Sequence, residues 1–127
     1  MPTVSDSTLT PELALDYLGE LSTDIRAVAV LDRGGSVAAQ SGFDEGSADQ
    51  VRGLVGDLFD RAAEGAADVS APTQVEVSLP EGSVYALREH GWTLAVVAGR
   101  FALSSLMFFD LRMVARDLAG VREGATS

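Results

Sequence analysis

Two stretches of this chain leave almost no polar face for water. "IRAVAVL", Ile25–Leu31, and "WTLAVVA", Trp92–Ala98, are apolar at nearly every position. A strand with one wet face alternates apolar with polar residues, so an almost unbroken apolar run requires cover on both faces. Both stretches are expected at the centre of one sheet, side by side, and the rest of the chain has to shield them.

The flanking segments have the patterns needed for edges and for cover. Thr10, Pro11 and Glu12 form a helix start, with a capping hydroxyl, a proline where no amide hydrogen is missed, and an acid at the positive helix end. A first helix is predicted over Pro11 to Leu21, with Leu13, Tyr17, Leu18 and Leu21 recurring at helical spacing. After the first apolar strand, Asp32, Arg33, Gly34 and Gly35 supply a side-chain acceptor and positive-φ residues for a tight hairpin into "SVAAQS". A phosphate-binding loop would instead lead from a Gly-rich segment into a helix, and neither a Walker pattern nor G-x-G-x-x-G occurs in the chain.

A second helix is expected to begin at Ser47 as cap, with Val51, Leu54, Val55, Leu58, Phe59 and Ala62 as its apolar face. Its other side carries Asp49, Arg52, Gly53, Gly56, Asp57 and Asp60. Two mid-helix glycines cost about 1 kcal/mol each relative to Ala, which suits either a tolerated solvated face or close approach of a partner. The segment "EGAADVSAP" reads as a linker. A three-stranded meander follows: "TQVEVSL", a turn at "PEG", "SVYALRE", a turn at His90 and Gly91, and the second apolar strand. Thr73 to Leu79 alternates, with Val75, Val77 and Leu79 on one face and Gln74, Glu76 and Ser78 on the other, as an edge strand does. The last helix is predicted from about Ala102 to Ala119, with Leu103, Leu106, Met107, Leu111, Val114 and Leu118 on one stripe, widened by Phe108 and Phe109.

The resulting class is α/β (α+β): a five-stranded antiparallel sheet in order 2-1-5-4-3 between helices, with element order α-β-β-α-β-β-β-α. Length supports a single unit. At 127 residues and 46% apolar the chain fits one domain, expected over residues 10–120, with flexible termini at 1–9 and 121–127.

Composition narrows the function. Nineteen acidic residues against nine basic give a formal charge of −10, so the field repels polyanions, and nucleic acid is a poor partner. With no cysteine there is no thiolate nucleophile, disulfide or Cys-ligated metal. The opening residues "MPTVSDSTL" lack a basic, apolar signal pattern, so the cytoplasm is the default location. Arg100, Ser104 and Ser105 break the apolar stretch from Trp92 to Phe109, which therefore reads as strand plus buried helix, not as a membrane span.

Candidate catalytic groups are sparse. His90 is the only histidine, which rules out a His-based zinc site, and its place in a turn beside Glu89 and Gly91 suits a solvated residue better than a general base. Ser104 and Ser105, near a helix start, read as capping groups and not as nucleophiles. Asp44, Glu45 and Asp49 lack the ligand series of a calcium loop. No catalytic residue, metal ligand or cofactor is expected.

"YLGELSTDIRAVAVLDRGGSVAAQSG", then an amphipathic helix, then "LREHGWTLAVVAGRFALSSLMFFDLRMVARDLA", resembles the Roadblock/dynein-light-chain superfamily, especially its bacterial members. The likeness covers about Leu13 to Leu118. It implies a profilin-like three-layer architecture and a non-catalytic homodimeric adaptor or regulator that binds a small Ras-like GTPase. It also implies self-contact through the third strand and second helix, which map here to Gln74, Glu76 and Ser78 and to Arg52, Gly53, Gly56 and Asp60. Arg33, Arg52, Arg61 and Arg100 are arginines available to a nucleotide-loaded partner, and none is singled out as an arginine finger. The alternative is a small-molecule sensor of PAS-like type, which needs a polar-lined cavity.

Overall fold

The computed structural model describes residues 9–21, 24–43, 48–65 and 73–120. The predicted cap Ser47, the acids Asp44 and Glu45, most of the linker and both expected flexible ends lie outside the described residues, apart from Leu9, which packs against the core.

The sheet forms around the two apolar strands. β1 (Ile25–Leu31) and β5 (Trp92–Gly99) pair antiparallel, with Val28 opposite Val96 and Ala29 opposite Ala95. β2 (Val37–Ser41) adds outside β1, while β4 (Gly82–Glu89) and then β3 (Gln74–Leu79) add outside β5, giving the expected order β2-β1-β5-β4-β3. In the first turn, Asp32 Oδ1 accepts the amides of Gly34 and Ser36, each at 3.0 Å. Only Gly35 of the two glycines has positive φ, so Gly34 is not a left-handed residue as the sequence suggested. The β4–β5 turn has positive φ at both His90 and Gly91, as a two-residue type I′ hairpin requires.

Helices cover both faces. α1 (Pro11–Leu21) and α3 (Ser104–Ala119) lie on one face, where Leu18, Leu87, Leu94, Val96, Leu111 and Val114 make a fully buried core. α2 (Ala48–Gly65) lies on the other, its Val51, Val55 and Phe59 packed on Ala29, Leu31, Ala86 and Ala95. Ala29, Ala95 and Ala86 are direct cross-strand neighbours, so a row of methyl groups runs under α2. Small side chains there make room for Phe59, while the opposite face is filled by leucine and valine.

The first helix starts as expected: Thr10 Oγ1 accepts the Leu13 amide at 3.1 Å. Its rotation differs from the reading above. Ala14 and Leu18 form the buried stripe, whereas Leu13 and Tyr17, the i−1 neighbours of those residues, are exposed. Either i, i+4 pair satisfies helical spacing, and docking against the sheet and α3 selects one.

α3 departs similarly. It begins at Ser104, with Leu103 in an extended conformation and no side-chain cap, so the serines do not cap it. Leu103 and Leu106 are exposed, and the buried stripe is Met107, Phe108, Leu111, Val114, Ala115 and Leu118. Phe108 meets Tyr85 edge-on, ring centroids 5.5 Å apart, while Phe109 points to solvent. Gly120 ends the helix in the left-handed conformation, its amide donating to the Asp117 carbonyl at 3.1 Å.

Two leucines on α3 separate these readings. Leu111→Ala should cost about 2–5 kcal/mol of unfolding free energy in urea titrations, and Leu106→Ala should stay within about 0.5 kcal/mol. Equal losses would restore Leu106 to the core.

Candidate functional site

β3 forms one of the two borders of the sheet, opposite β2. The Arg88 amide donates to the Thr73 carbonyl at 2.7 Å, and the ladder continues with Val75 opposite Ala86 and Val77 opposite Val84. Antiparallel pairing alternates, so Thr73, Val75, Val77 and Leu79 direct their backbone groups at β4. Gln74, Glu76 and Ser78 direct theirs outward. Among the described residues these three thus carry the unpaired backbone edge on this side of the sheet.

Their side chains point elsewhere. Ser104 Oγ donates to Glu76 Oε2 at 2.9 Å, and Arg112 of α3 bonds both Gln74 Oε1 and, at 3.2 Å, Glu89 Oε2. Gln74 and Glu76 therefore lie on the α3 face of the sheet, and their contacts tie the edge strand to that helix.

The α2 residues of the expected contact lie across the sheet from them. Arg52 and Asp60 are exposed, and Arg52 pairs with Asp49 at 3.4 Å, one turn away. A Cβ added at Gly53 or Gly56 would meet nothing within 4 Å, so no close approach among the described residues accounts for either glycine. The side chains of Gln74 and Glu76 and the solvent face of α2 are thus not one patch.

What does lie beside α2 is a groove of about 510 Å³ lined by Leu54, Asp57, Leu58, Arg61, Val75 and Val77. Leu54 is 55% exposed, although its spacing places it with the core. Leu54, Leu58 and Arg61 follow one another at i, i+4 and i+7, flanking the buried stripe. The valines of β3 complete the floor. Sequence periodicity missed this surface because a leucine at the margin of an apolar stripe looks like a core residue until the width of the underlying sheet is known.

The remaining candidates are dispersed. His90 is exposed at the turn corner, and Ser104 is engaged by Glu76. Among the described residues no group of three His, Cys, Asp or Glu side chains is placed to hold a metal ion. No helix among them is long and apolar enough to cross a membrane. A surface groove of about 370 Å³ at the far end of the sheet is lined by Arg26, Leu79, Pro80, Glu81, Gly82, Val97 and Ala98. Phe101 is 87% exposed and leads into the exposed Leu103, Leu106 and Phe109 of α3.

No protein-family model matches the chain, and no curated protein matches it. Solved structures do. A Roadblock/LC7 domain from Streptomyces avermitilis is 23% identical, with a TM-score of 0.72 over 83% of this chain and 91% of that one. An MglB with tetrameric arrangement is 18% identical, with a TM-score of 0.67 over 93% and 96%. LokiProfilin2, in complex with rabbit actin, is 14% identical, with a TM-score of 0.62 over 87% and 96%. The chain has the Roadblock/LC7 fold, of profilin-like α/β architecture.

One ionisable group on the α3 side is shifted. Partial burial holds the Asp110 carboxyl above the usual carboxylate range. The native state therefore binds this proton more tightly than the unfolded state, and stability falls as pH rises from the ordinary aspartate value through the raised one. Asp110→Asn should flatten that part of the stability-versus-pH curve in thermal unfolding, gaining slightly on the parent at neutral pH and nothing at acidic pH. An unchanged curve would remove the shift.

Proposed function

We propose that this protein is a non-catalytic homodimeric regulator of a small Ras-like GTPase, assembled through the β3 edge and the α2–β3 groove. The observation that carries this reading is the coincidence of two incomplete surfaces at one border of the sheet. Gln74, Glu76 and Ser78 present backbone donors and acceptors that no described residue pairs. Beside them Leu54, Leu58, Val75 and Val77 leave apolar surface uncovered. A second copy related by a two-fold axis offers the same edge in the antiparallel sense and the same groove, and so completes both at once.

The likeness to Roadblock/LC7 domains supports this assembly, as does the tetrameric arrangement recorded for an MglB. The GTPase enters through the Roadblock resemblance. Regulation would come from holding the partner's switch loops, with no chemistry on this chain. The predicted Arg52, Gly53, Gly56 and Asp60 then form the outer surface of α2 beside the two-fold axis, and the groove residues supply the apolar contact. A PAS-like sensor is the weaker reading: the core positions on both sheet faces are occupied by side chains, and the larger hollows are surface grooves.

Two variants test the dimer by light scattering. Glu76→Pro removes an outward amide without touching the β3–β4 ladder, and Leu54→Glu places a charge in the groove. Each should halve the mass of a folded protein, and an unchanged mass would remove the interface. Capture from a cell lysate with excess GDP or a non-hydrolysable GTP analogue tests the partner. Nucleotide-dependent enrichment of one Ras-like GTPase is expected, and recovery of the bait alone would leave a dimer without that role.

A further inference from the structure

At the opposite end of the sheet from the "PEG" turn, two hairpin turns enclose a cleft of about 300 Å³ lined by Asp32, Arg33, Gly34, Gly35, Arg88, Gly91 and Thr93. We propose that this cleft binds a phosphate group, held between the guanidinium groups of Arg33 and Arg88.

Both arginines are positioned by the fold. Arg88 lies over the Phe59 ring of α2, with its guanidinium carbon 4.2 Å from the ring centroid, and its Nε donates to the buried Thr93 hydroxyl at 3.2 Å. Those two contacts fix the plane of the group and leave its terminal nitrogens for an anion. Arg33 lies across the β4–β5 turn: a Cβ at residue 91 would fall 2.7 Å from its Nε and 2.8 Å from its Cγ. Gly91 thus serves two ends, supplying a left-handed residue to the turn and a shelf for the arginine.

The charge arrangement points the same way. Acids outnumber arginines by nineteen to nine, yet among the described residues neither Arg33 nor Arg88 has a carboxylate partner. Asp32 also lines the cleft and lowers its net charge, but Oδ1 of its carboxylate is engaged by the Gly34 and Ser36 amides. Glu89 is turned to Arg112 on the other face of the sheet. With two guanidinium groups against the one carboxylate of Asp32, the cleft keeps an excess of positive charge, and an anion between the arginines offsets it. A phosphate presents enough oxygens for two guanidinium forks at once, whereas a lone carboxylate is matched by one. The cleft has room for a phosphate and a small attached group.

The test is a titration of the intact protein with inorganic phosphate and, separately, with phenyl phosphate, at constant ionic strength set by chloride, following the arginine Nε–H resonances by NMR. Saturable shifts of the Arg33 and Arg88 signals are expected. Arg33→Gln, at an exposed turn, and Arg88→Gln should each weaken binding about tenfold, the loss of one charged hydrogen-bonding group. Arg26→Gln, at the far end of the sheet where Arg26 pairs with Glu81, should leave it unchanged. Tighter binding of phenyl phosphate than of inorganic phosphate would assign the site to phosphomonoesters, and equal binding to the free ion. Shifts that do not saturate, or that persist when both arginines are replaced, would overturn the proposal. Because the cleft lies away from the β3 edge, its failure would leave the measured oligomeric mass and the GTPase capture untouched.

Discussion

Everything in this structure depends on the antiparallel pairing of β1 with β5. Each strand is apolar on both faces, so neither can be stable at an edge or on a sheet with one side in water. Their pairing puts Val28, Val30, Leu94 and Val96 on one face and Ala29, Leu31 and Ala95 on the other. Two helical layers are the consequence. The difference in side-chain size between the faces then decides how they are built: two helices rest on the valines and leucines, and one lies on a row of alanines.

The same pairing fixes where the structure is incomplete. With β1 and β5 in the middle, hairpins place β2 at one border and β3 at the other. α3 is tied to β3 through Ser104–Glu76 and Arg112–Gln74, which holds the edge strand on one side. On the other side α2 stops short and leaves the groove between Leu54, Leu58, Val75 and Val77. An edge tied to α3 and apolar on its α2 side is a template for a further strand. Polar side chains over it and apolar ones beneath give that border two different faces, so pairing in the wrong orientation would set unlike surfaces together.

The end of the sheet with the β1–β2 and β4–β5 turns has another character. Hairpin chemistry is satisfied there by Asp32, Gly35, His90 and Gly91. The two turns meet because β1 and β5 are neighbours, not because their sequences adjoin, and that meeting is what brings Arg33 beside Gly91 and near Arg88. One turn alone would carry a solvated arginine of no special note.

Strand order, helix order and both tight hairpins were legible from the chain, because alternation, unbroken apolar runs and positive-φ turn residues act over a few neighbouring positions. The alternation in "TQVEVSL" marked β3 as a strand with one apolar and one polar face, and its contrast with the two unbroken apolar runs placed it away from the centre, at the border that the strand order shows. Helix rotation was not legible. Leu13 and Leu18, or Leu106 and Met107, satisfy helical spacing equally, and only the docked sheet shows that Leu18 and Met107 are buried while Leu13 and Leu106 are exposed. The same holds for Leu54, whose exposure makes the groove. The chain by itself determined which strands must be central and therefore that two layers of helix must cover them. Tertiary structure alone decided which margin of each helix is left in water, because that depends on the width of the surface beneath, a property of strands far apart in sequence.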